Sequence, residues 1–160
     1  MKTVMTNAAR ILDRTKIPYQ IVHYEVDEGD LGAGRVTARL GLDPKVVFKT
    51  LVLRGDRTGC LVCIVPGEEE LDLKKTAKVS GNKSCALIPM KELPAVTGYT
   101  RGGCSPIGMK KRFPTFIHST ALGHPEIHVS AGRRGLQFRI GPGDLIAAAG
   151  ARVVDITARR

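Results

Sequence analysis

The chain has 160 residues, 42% of them hydrophobic and 4% aromatic, and a formal net charge of +10 at pH 7. This composition predicts a folded chain with one core, and we expect a single domain over residues 1–160. The sequence has no apolar run of the roughly 18 residues that a membrane span needs, so we expect no membrane partner. The positive charge is bunched and indicates an anionic partner, although an ordinary basic surface would also explain it. So few aromatic side chains favour contact with phosphates over stacking on bases.

Helices and strands are predicted to alternate irregularly along the chain. Thr6 can cap a first helix that ends before Pro18, and Gly41 and Gly81 can end two later helices. The predicted strands cover residues 20–24, 46–53, 60–65, 85–88, 115–118, 126–129, 136–140 and 152–156, and later helices cover residues 35–40, 72–79, 90–96 and 144–149. This order indicates an α+β fold with a mixed, barrel-like sheet surrounded by short helices. Charged residues throughout the first helix exclude a secretory signal, so we expect a cytoplasmic protein.

One charged residue interrupts the second predicted strand. Lys49 lies in the otherwise apolar run from Val46 to Leu53. Burying an unpaired ammonium costs several kcal/mol, so Lys49 must either reach solvent or meet an anion. Taken alone, a snorkelling or salt-bridged lysine is the simpler interpretation.

Two loops of small residues could surround such an anion. Residues 102–108 have the glycine spacing of a phosphate-binding loop, but Met109 replaces its lysine and Pro106 removes a backbone amide, which argues against a nucleotidase. Their glycines and the Ser105 hydroxyl still allow a ligand to approach closely, as a tight turn would also require. Residues 130–135 place Ser130 before a basic pair and could hold an anion or form a hairpin turn. Neither serine lies in a G-x-S-x-G elbow, so no side-chain nucleophile is evident.

The cysteines and histidines predict no metal site. Cys60 and Cys63 have C-x-x-C spacing, but residues three apart in a strand face opposite sides. His124 and His128 are separated by Pro125, which prevents a shared helical face. The four cysteines fit a reducing compartment, and we expect no cofactor.

Three segments of the chain together resemble the YbaK family. They are residues 47–51 with Lys49, residues 97–111 with the first small-residue loop, and residues 129–136 with the second. The similarity extends to residues 71–75 and to Asp144. That family contains bacterial Cys-tRNA(Pro) deacylases and belongs to the editing domains associated with prolyl-tRNA synthetase. The resemblance implies an α+β fold with a barrel-like sheet and a pocket for the aminoacylated 3′ end of tRNA.

The resemblance also implies which residues form the site. Lys49 would be the essential lysine of the family. The other implied pocket residues are Tyr24, Leu31, Thr50, Gly103, Ser105, Pro106, Ser130 and Asp144, and the tRNA phosphates would meet Lys110, Lys111, Arg133 and Arg134. In the family, the thiol of the misattached cysteine is thought to attack its own ester carbonyl and leave as a thiolactone. The protein then supplies positioning and charge stabilisation.

The chain departs from the family pattern in ways that bear on specificity. Leu31 stands in place of a loop aromatic, which bears on the choice of amino acid, and Arg133 in place of a lysine. Cys104 replaces an aliphatic residue, and we interpret it as a packing residue rather than a catalytic thiol. We expect a trans-editing deacylase for Cys-tRNA(Pro), with tRNA and also prolyl-tRNA synthetase as candidate partners. The alternatives are a deacylase for alanine or another small amino acid, and a non-catalytic module that binds tRNA or protein.

Overall fold

The structure is a computed structural model, and it describes residues 5–25, 38 and 40–158. Leu31 and most of the helix predicted over residues 35–40 lie outside the described residues. The α-helices are α1 (Asn7–Arg14), α2 (Leu73–Ser80), α3 (Leu93–Thr97) and α4 (Pro142–Ala149), and short 3-10 helices cover Pro44–Val46, Met90–Glu92 and Ser119–Gly123. The strands are β1 (Gln20–His23), β2 (Phe48–Gly55), β3 (Gly59–Pro66), β4 (Cys85–Leu87), β5 (Thr115–His118), β6 (Ile127–Ser130), β7 (Leu136–Ile140) and β8 (Ala151–Val154).

The predicted caps of α1 and α2 are confirmed. The Thr6 side chain accepts a hydrogen bond from the Ala9 amide at 3.1 Å, which satisfies a free amide in the first turn of α1. Asp72 caps α2 in the same way, and Gly81 ends that helix in the left-handed conformation, with φ of 80°. The last predicted strand is shorter than expected, because it ends at Val154 and the chain then turns Ile156 into the core.

The strands form two sheets that one contact connects. The larger sheet has the order β4-β2-β3-β5-β8 and contains both parallel and antiparallel pairs, and the smaller has the order β1-β7-β6. A parallel bridge between Val47 and His128 joins the start of β2 to β6. The larger sheet is therefore mixed, as predicted, and no closed barrel forms among the described residues.

The main core lies between the two sheets. Phe48 and Ile64 of the larger sheet pack there against Val129 and Phe138 of the smaller sheet, together with α1 and α4. Two smaller clusters cover the rest of the larger sheet: Cys63 packs in one and Cys60 against the other, so this pair faces opposite sides as predicted. No helix in the described part of the chain is both long and apolar enough to cross a membrane.

Candidate active site

The strand register places Lys49 and Ser130 on one face of the connected sheets. Bridge partners have their side chains on the same side, so Val47 and His128 share a face. Moving two residues along each parallel chain reaches Lys49 on β2 and Ser130 on β6, still on that face. We call it the lysine face. Phe48 and Thr50 point to the opposite side, where Phe48 enters the main core.

The Lys49 ammonium is a half-buried cation. Within the described part of the chain it makes no hydrogen bond and no ion pair. Burial lowers the pKa of Lys49, and the charges of Glu70 and Glu69, which follow β3, partly oppose that shift. The side chain thus carries a charge that burial disfavours, in a position where an anionic group would stabilise it.

Tyr24 also belongs to the lysine face. The Tyr24 amide donates to the Gly135 carbonyl at 3.0 Å, which continues the antiparallel pairing of β1 with β7. Val22 is paired with Gln137, and Gln137 is paired with Ser130, so these three side chains share one face. Side chains alternate along a strand, so Tyr24, two residues after Val22, lies on that face as well. The strand register therefore places three of the predicted site residues, Lys49, Tyr24 and Ser130, on one face of the connected sheets.

Two polar residues of this face were missed by the sequence analysis as site residues. His128 and Gln137 are 4% and 5% exposed, and Nδ1 of His128 and Oε1 of Gln137 make no hydrogen bond in the described residues. Burial, followed by the neighbouring Arg139, lowers the pKa of His128 and favours its neutral form. The alternation of polar and apolar residues in β6 and β7 was the available signal. Buried polar atoms without partners are uncommon and mark a face that a ligand can satisfy.

The two small-residue loops contact each other beside this face. A Cβ added at Gly103 would lie 3.2 Å from the Arg134 amide nitrogen and 3.3 Å from Cα of Arg133, so a side chain at this position would require the second loop to shift. Tyr99 holds the loops from the other side, because its hydroxyl donates to the Ile107 carbonyl while its ring packs against Gly132. Tyr99 is a positioning residue that the sequence analysis did not select.

The described residues contain no activated nucleophile at the site. The Ser105 hydroxyl is fully buried and accepts from the Ile107 amide at 3.2 Å, and the Ser130 hydroxyl accepts from the Gly132 amide at 3.2 Å. Both serines therefore shape their own loops. Burial raises the pKa of the Cys104 thiol to about 12, which keeps it protonated and fits the predicted packing role.

The remaining predicted residues lie at different distances from the lysine face. Thr50 points to the other face of β2, and its buried Oγ1 makes no hydrogen bond among the described residues. Asp144 lies beside Gly141, at the end of the β6–β7 pair opposite to Ser130, so the structure does not bring it to Lys49. Pro106 turns away to line a separate cleft next to α1.

Of the predicted phosphate contacts, Lys110, Lys111 and Arg133 are exposed and Arg134 is half-buried, with its Nε donating to the Arg101 carbonyl.

No group of three or more potential metal ligands occurs in the part of the chain that the structure describes. The site is instead a basic, partly polar face next to two glycine-rich loops. Such an arrangement can bind an anionic ligand and stabilise negative charge that develops on it.

Comparison with known proteins defines the class. The model of the aminoacyl-tRNA editing domain family matches residues 32–148, and the chain belongs to this family. The resemblance inferred from the sequence motifs is thereby confirmed. A relative from Enterococcus faecalis, named EbsC and described as a candidate Cys-tRNA(Pro)/Cys-tRNA(Cys) deacylase, is 44% identical over 96% of this chain and 94% of its own length.

Solved structures support the same fold. A candidate trans-editing enzyme for prolyl tRNA synthetase superposes with a TM-score of 0.82 at 25% identity, covering 98% of this chain and all of the other. The hypothetical protein APE2540 superposes with a TM-score of 0.86 at 19% identity, over 95% of this chain and 99% of its own, and shows the fold alone. The predicted α+β class is confirmed.

Proposed function

We propose that the protein is a cytoplasmic trans-editing deacylase that removes cysteine from mischarged Cys-tRNA(Pro), with residues 1–160 forming one editing domain. Membership of the editing family and the near full-length similarity to EbsC support this substrate. The similarity to a trans-editing enzyme for prolyl tRNA synthetase supports the synthetase as a second partner.

The observation that carries the proposal is the half-buried Lys49 ammonium, which lacks an ion-pair partner among the described residues and shares a face with Tyr24 and Ser130. A phosphate of the tRNA 3′ end, or the oxyanion that develops on the ester carbonyl during the reaction, would pair with this ammonium more closely than Glu70 and Glu69, whose charges act on it in the fold. A fixed ammonium at a developing oxyanion lowers the barrier because it needs no reorganisation during the reaction.

The absence of an activated nucleophile among the described residues agrees with a reaction in which the substrate supplies its own. The thiolate of the attached cysteine attacks the ester carbonyl, a C–S bond forms, and the carbonyl oxygen becomes an oxyanion that Lys49 stabilises. Collapse breaks the bond between the carbonyl carbon and the ribose oxygen, which takes a proton. The products are a thiolactone and free tRNA. Ser105, Ser130 and Cys104 then need only to shape the pocket.

The basic residues beside the loops fit a tRNA backbone. Lys110, Lys111 and Arg133 are exposed, and Arg133 lies where Gly103 meets the second loop, while Lys110 lies against Gly98. Contacts from such side chains to phosphates release counterions, so binding weakens steeply as salt rises. These basic residues therefore contribute affinity for tRNA, while the lysine face stabilises charge during deacylation.

Deacylation of Cys-, Ala- and Pro-charged tRNA(Pro) by wild type, Lys49→Ala and Lys45→Ala tests the proposal. Lys45 is an exposed lysine just before β2 and serves as the matched control. We expect release of cysteine by the wild type and by Lys45→Ala, and a loss of about 10²–10³ in rate for Lys49→Ala. Hydrolysis of Ala-tRNA without action on Cys-tRNA would instead support the alanine deacylase. Binding of tRNA with no hydrolysis at all would support the non-catalytic module.

A further inference from the structure

Buried polar atoms without hydrogen bonds are concentrated on one part of the lysine face. Among the described residues they include Nδ1 of His128, Oε1 of Gln137 and Nε of Arg139. His128 is paired with Arg139, and Ser130 is paired with Gln137, so the four side chains form two adjacent rows on one face of β6 and β7. His128 is 4% exposed and Gln137 is 5% exposed. Two such buried and unsatisfied side chains in adjacent rows indicate a place that a ligand completes.

The strand register places His128 diagonally next to Lys49 and next to Gln137. His128 forms the bridge with Val47, β2 and β6 stay in contact beyond that bridge, and Lys49 is two residues further along β2. Diagonal neighbours on paired strands have Cβ atoms roughly 7–8 Å apart, which long side chains can span. The small Ser130 side chain lies in the row between them and leaves room above it. A group that the Lys49 ammonium holds over Ser130 is therefore within reach of the His128 ring.

The surroundings of His128 favour a neutral ring that can accept a proton. The charged groups around it in the described residues include Arg139 and Glu126, which form an ion pair at 3.6 Å, and Lys49 on β2. Burial and then Arg139 lower the pKa of His128, and Glu126 partly opposes them. In the tautomer with hydrogen on Nε2, the unbonded Nδ1 has a free lone pair. A charged imidazole beside Arg139 is disfavoured, so this histidine can take a proton and pass it on.

We propose that His128 is the general base of the editing reaction and that its Nδ1 takes the proton from the thiol of the attached cysteine. Removal of this proton produces the thiolate that forms the C–S bond at the ester carbonyl. When the bond between the carbonyl carbon and the ribose oxygen breaks, His128 returns the proton to that oxygen, so the enzyme ends the cycle unchanged. The inference rests on the proposed function in taking the cysteinyl ester as the ligand, and it adds the group that moves the proton.

Single-turnover deacylation of Cys-tRNA(Pro) by wild type and His128→Gln at several pH values tests the role, with the rate in the absence of enzyme subtracted. At pH 7 the variant should be about 10²-fold slower, because glutamine cannot carry the proton. That loss should shrink about tenfold by pH 8.5, where an ordinary thiol ionises without a base. His23→Gln is the matched control and should behave as wild type, because His23 is exposed on β1 and strand alternation turns it away from the lysine face.

A folded His128→Gln with the wild-type rate overturns the assignment. An equal loss at pH 7 and pH 8.5 also overturns it, because that result would mean that His128 only supports the sheet. If the variant does not fold, the wild type decides: its rate constant should change little between these pH values, and a rise of about tenfold, following thiol ionisation, would overturn the assignment. A wild type that releases no cysteine overturns both proposals, whereas an active wild type with an unaffected or uniformly slowed variant overturns this one alone.

Discussion

Two buried carboxamide side chains, those of Asn82 and Gln137, differ in whether the fold satisfies their hydrogen bonds. Asn82, 7% exposed, makes four hydrogen bonds of 2.9–3.0 Å to Arg57, Thr58 and Ser80, and so fixes the β2–β3 turn. Gln137, 5% exposed, lies on the lysine face with Oε1 unbonded among the described residues. A satisfied amide stabilises the fold, whereas an unsatisfied one costs free energy until a ligand arrives. The β2–β3 turn with Asn82 is therefore a structural end of the molecule, whereas the lysine face with Gln137 is suited to bind a ligand.

The largest expected effect is on the free energy of unfolding when either carboxamide is replaced by an apolar side chain. Asn82→Leu replaces the amide by an apolar group of nearly the same shape. It leaves the Arg57 and Thr58 amides without their acceptor, so it should reduce the free energy of unfolding by about 3 kcal/mol. Gln137→Met should leave the free energy of unfolding unchanged or raise it, because it removes a buried atom without a partner. Urea unfolding measures both. Deacylation kinetics should show the reverse order, with only the Gln137 variant impaired, and equal destabilisation of both would contradict the comparison.

A smaller effect concerns pH and the second unsatisfied group. Because the pKa of His128 is lowered in the fold, the unfolded chain binds a proton near pH 6.5 while the folded chain does not. Stability should therefore fall as pH decreases below about 6.5, by at most about 1.4 kcal/mol per pH unit from this group. His128→Gln should flatten that part of the stability profile between pH 7 and pH 5. A profile identical to that of the wild type would show that His128 does not titrate as inferred.

The smallest expected effect lies on the basic surface. Arg133→Gln removes one exposed cation beside the loops, and we expect KM to rise a few fold and the logarithmic salt slope of tRNA binding to decrease by about 1. Arg57→Gln removes an exposed cation from the structural end, at the β2–β3 turn, and should change neither quantity. Equal effects of the two variants would mean that tRNA binding follows overall charge rather than this surface.

The sequence was sufficient to predict those features of the site and of the helices that depend on neighbouring residues. Lys49 is conspicuous because its neighbours are apolar. The sequence predicted that glycines of the first loop allow a ligand to approach or form a tight turn, and the structure shows that Gly103 lies against the Arg133–Arg134 backbone. Helix caps at Thr6 and Asp72 follow from short-range rules and are confirmed.

The sequence was insufficient where the pairing of strands decides which side chains share a face. Gln137 and His128 join the lysine face only through the pairing of β6 with β7 and through the Val47–His128 bridge, which are contacts between distant residues. The same pairing puts Asp144 at the opposite end of these strands, and strand alternation turns Thr50 away from Lys49. Their predicted roles at the pocket stay predictions.

The most direct test of the account compares Cys-tRNA(Pro) with Ser-tRNA(Pro) as substrates of the wild type. The two substrates differ by one atom, sulfur or oxygen, and a hydroxyl is a much weaker nucleophile than a thiolate. If the lysine face positions a substrate that attacks its own ester, cysteine should be released at least about 100-fold faster than serine. Equal rates would contradict the account, because they would require a nucleophile that does not come from the substrate.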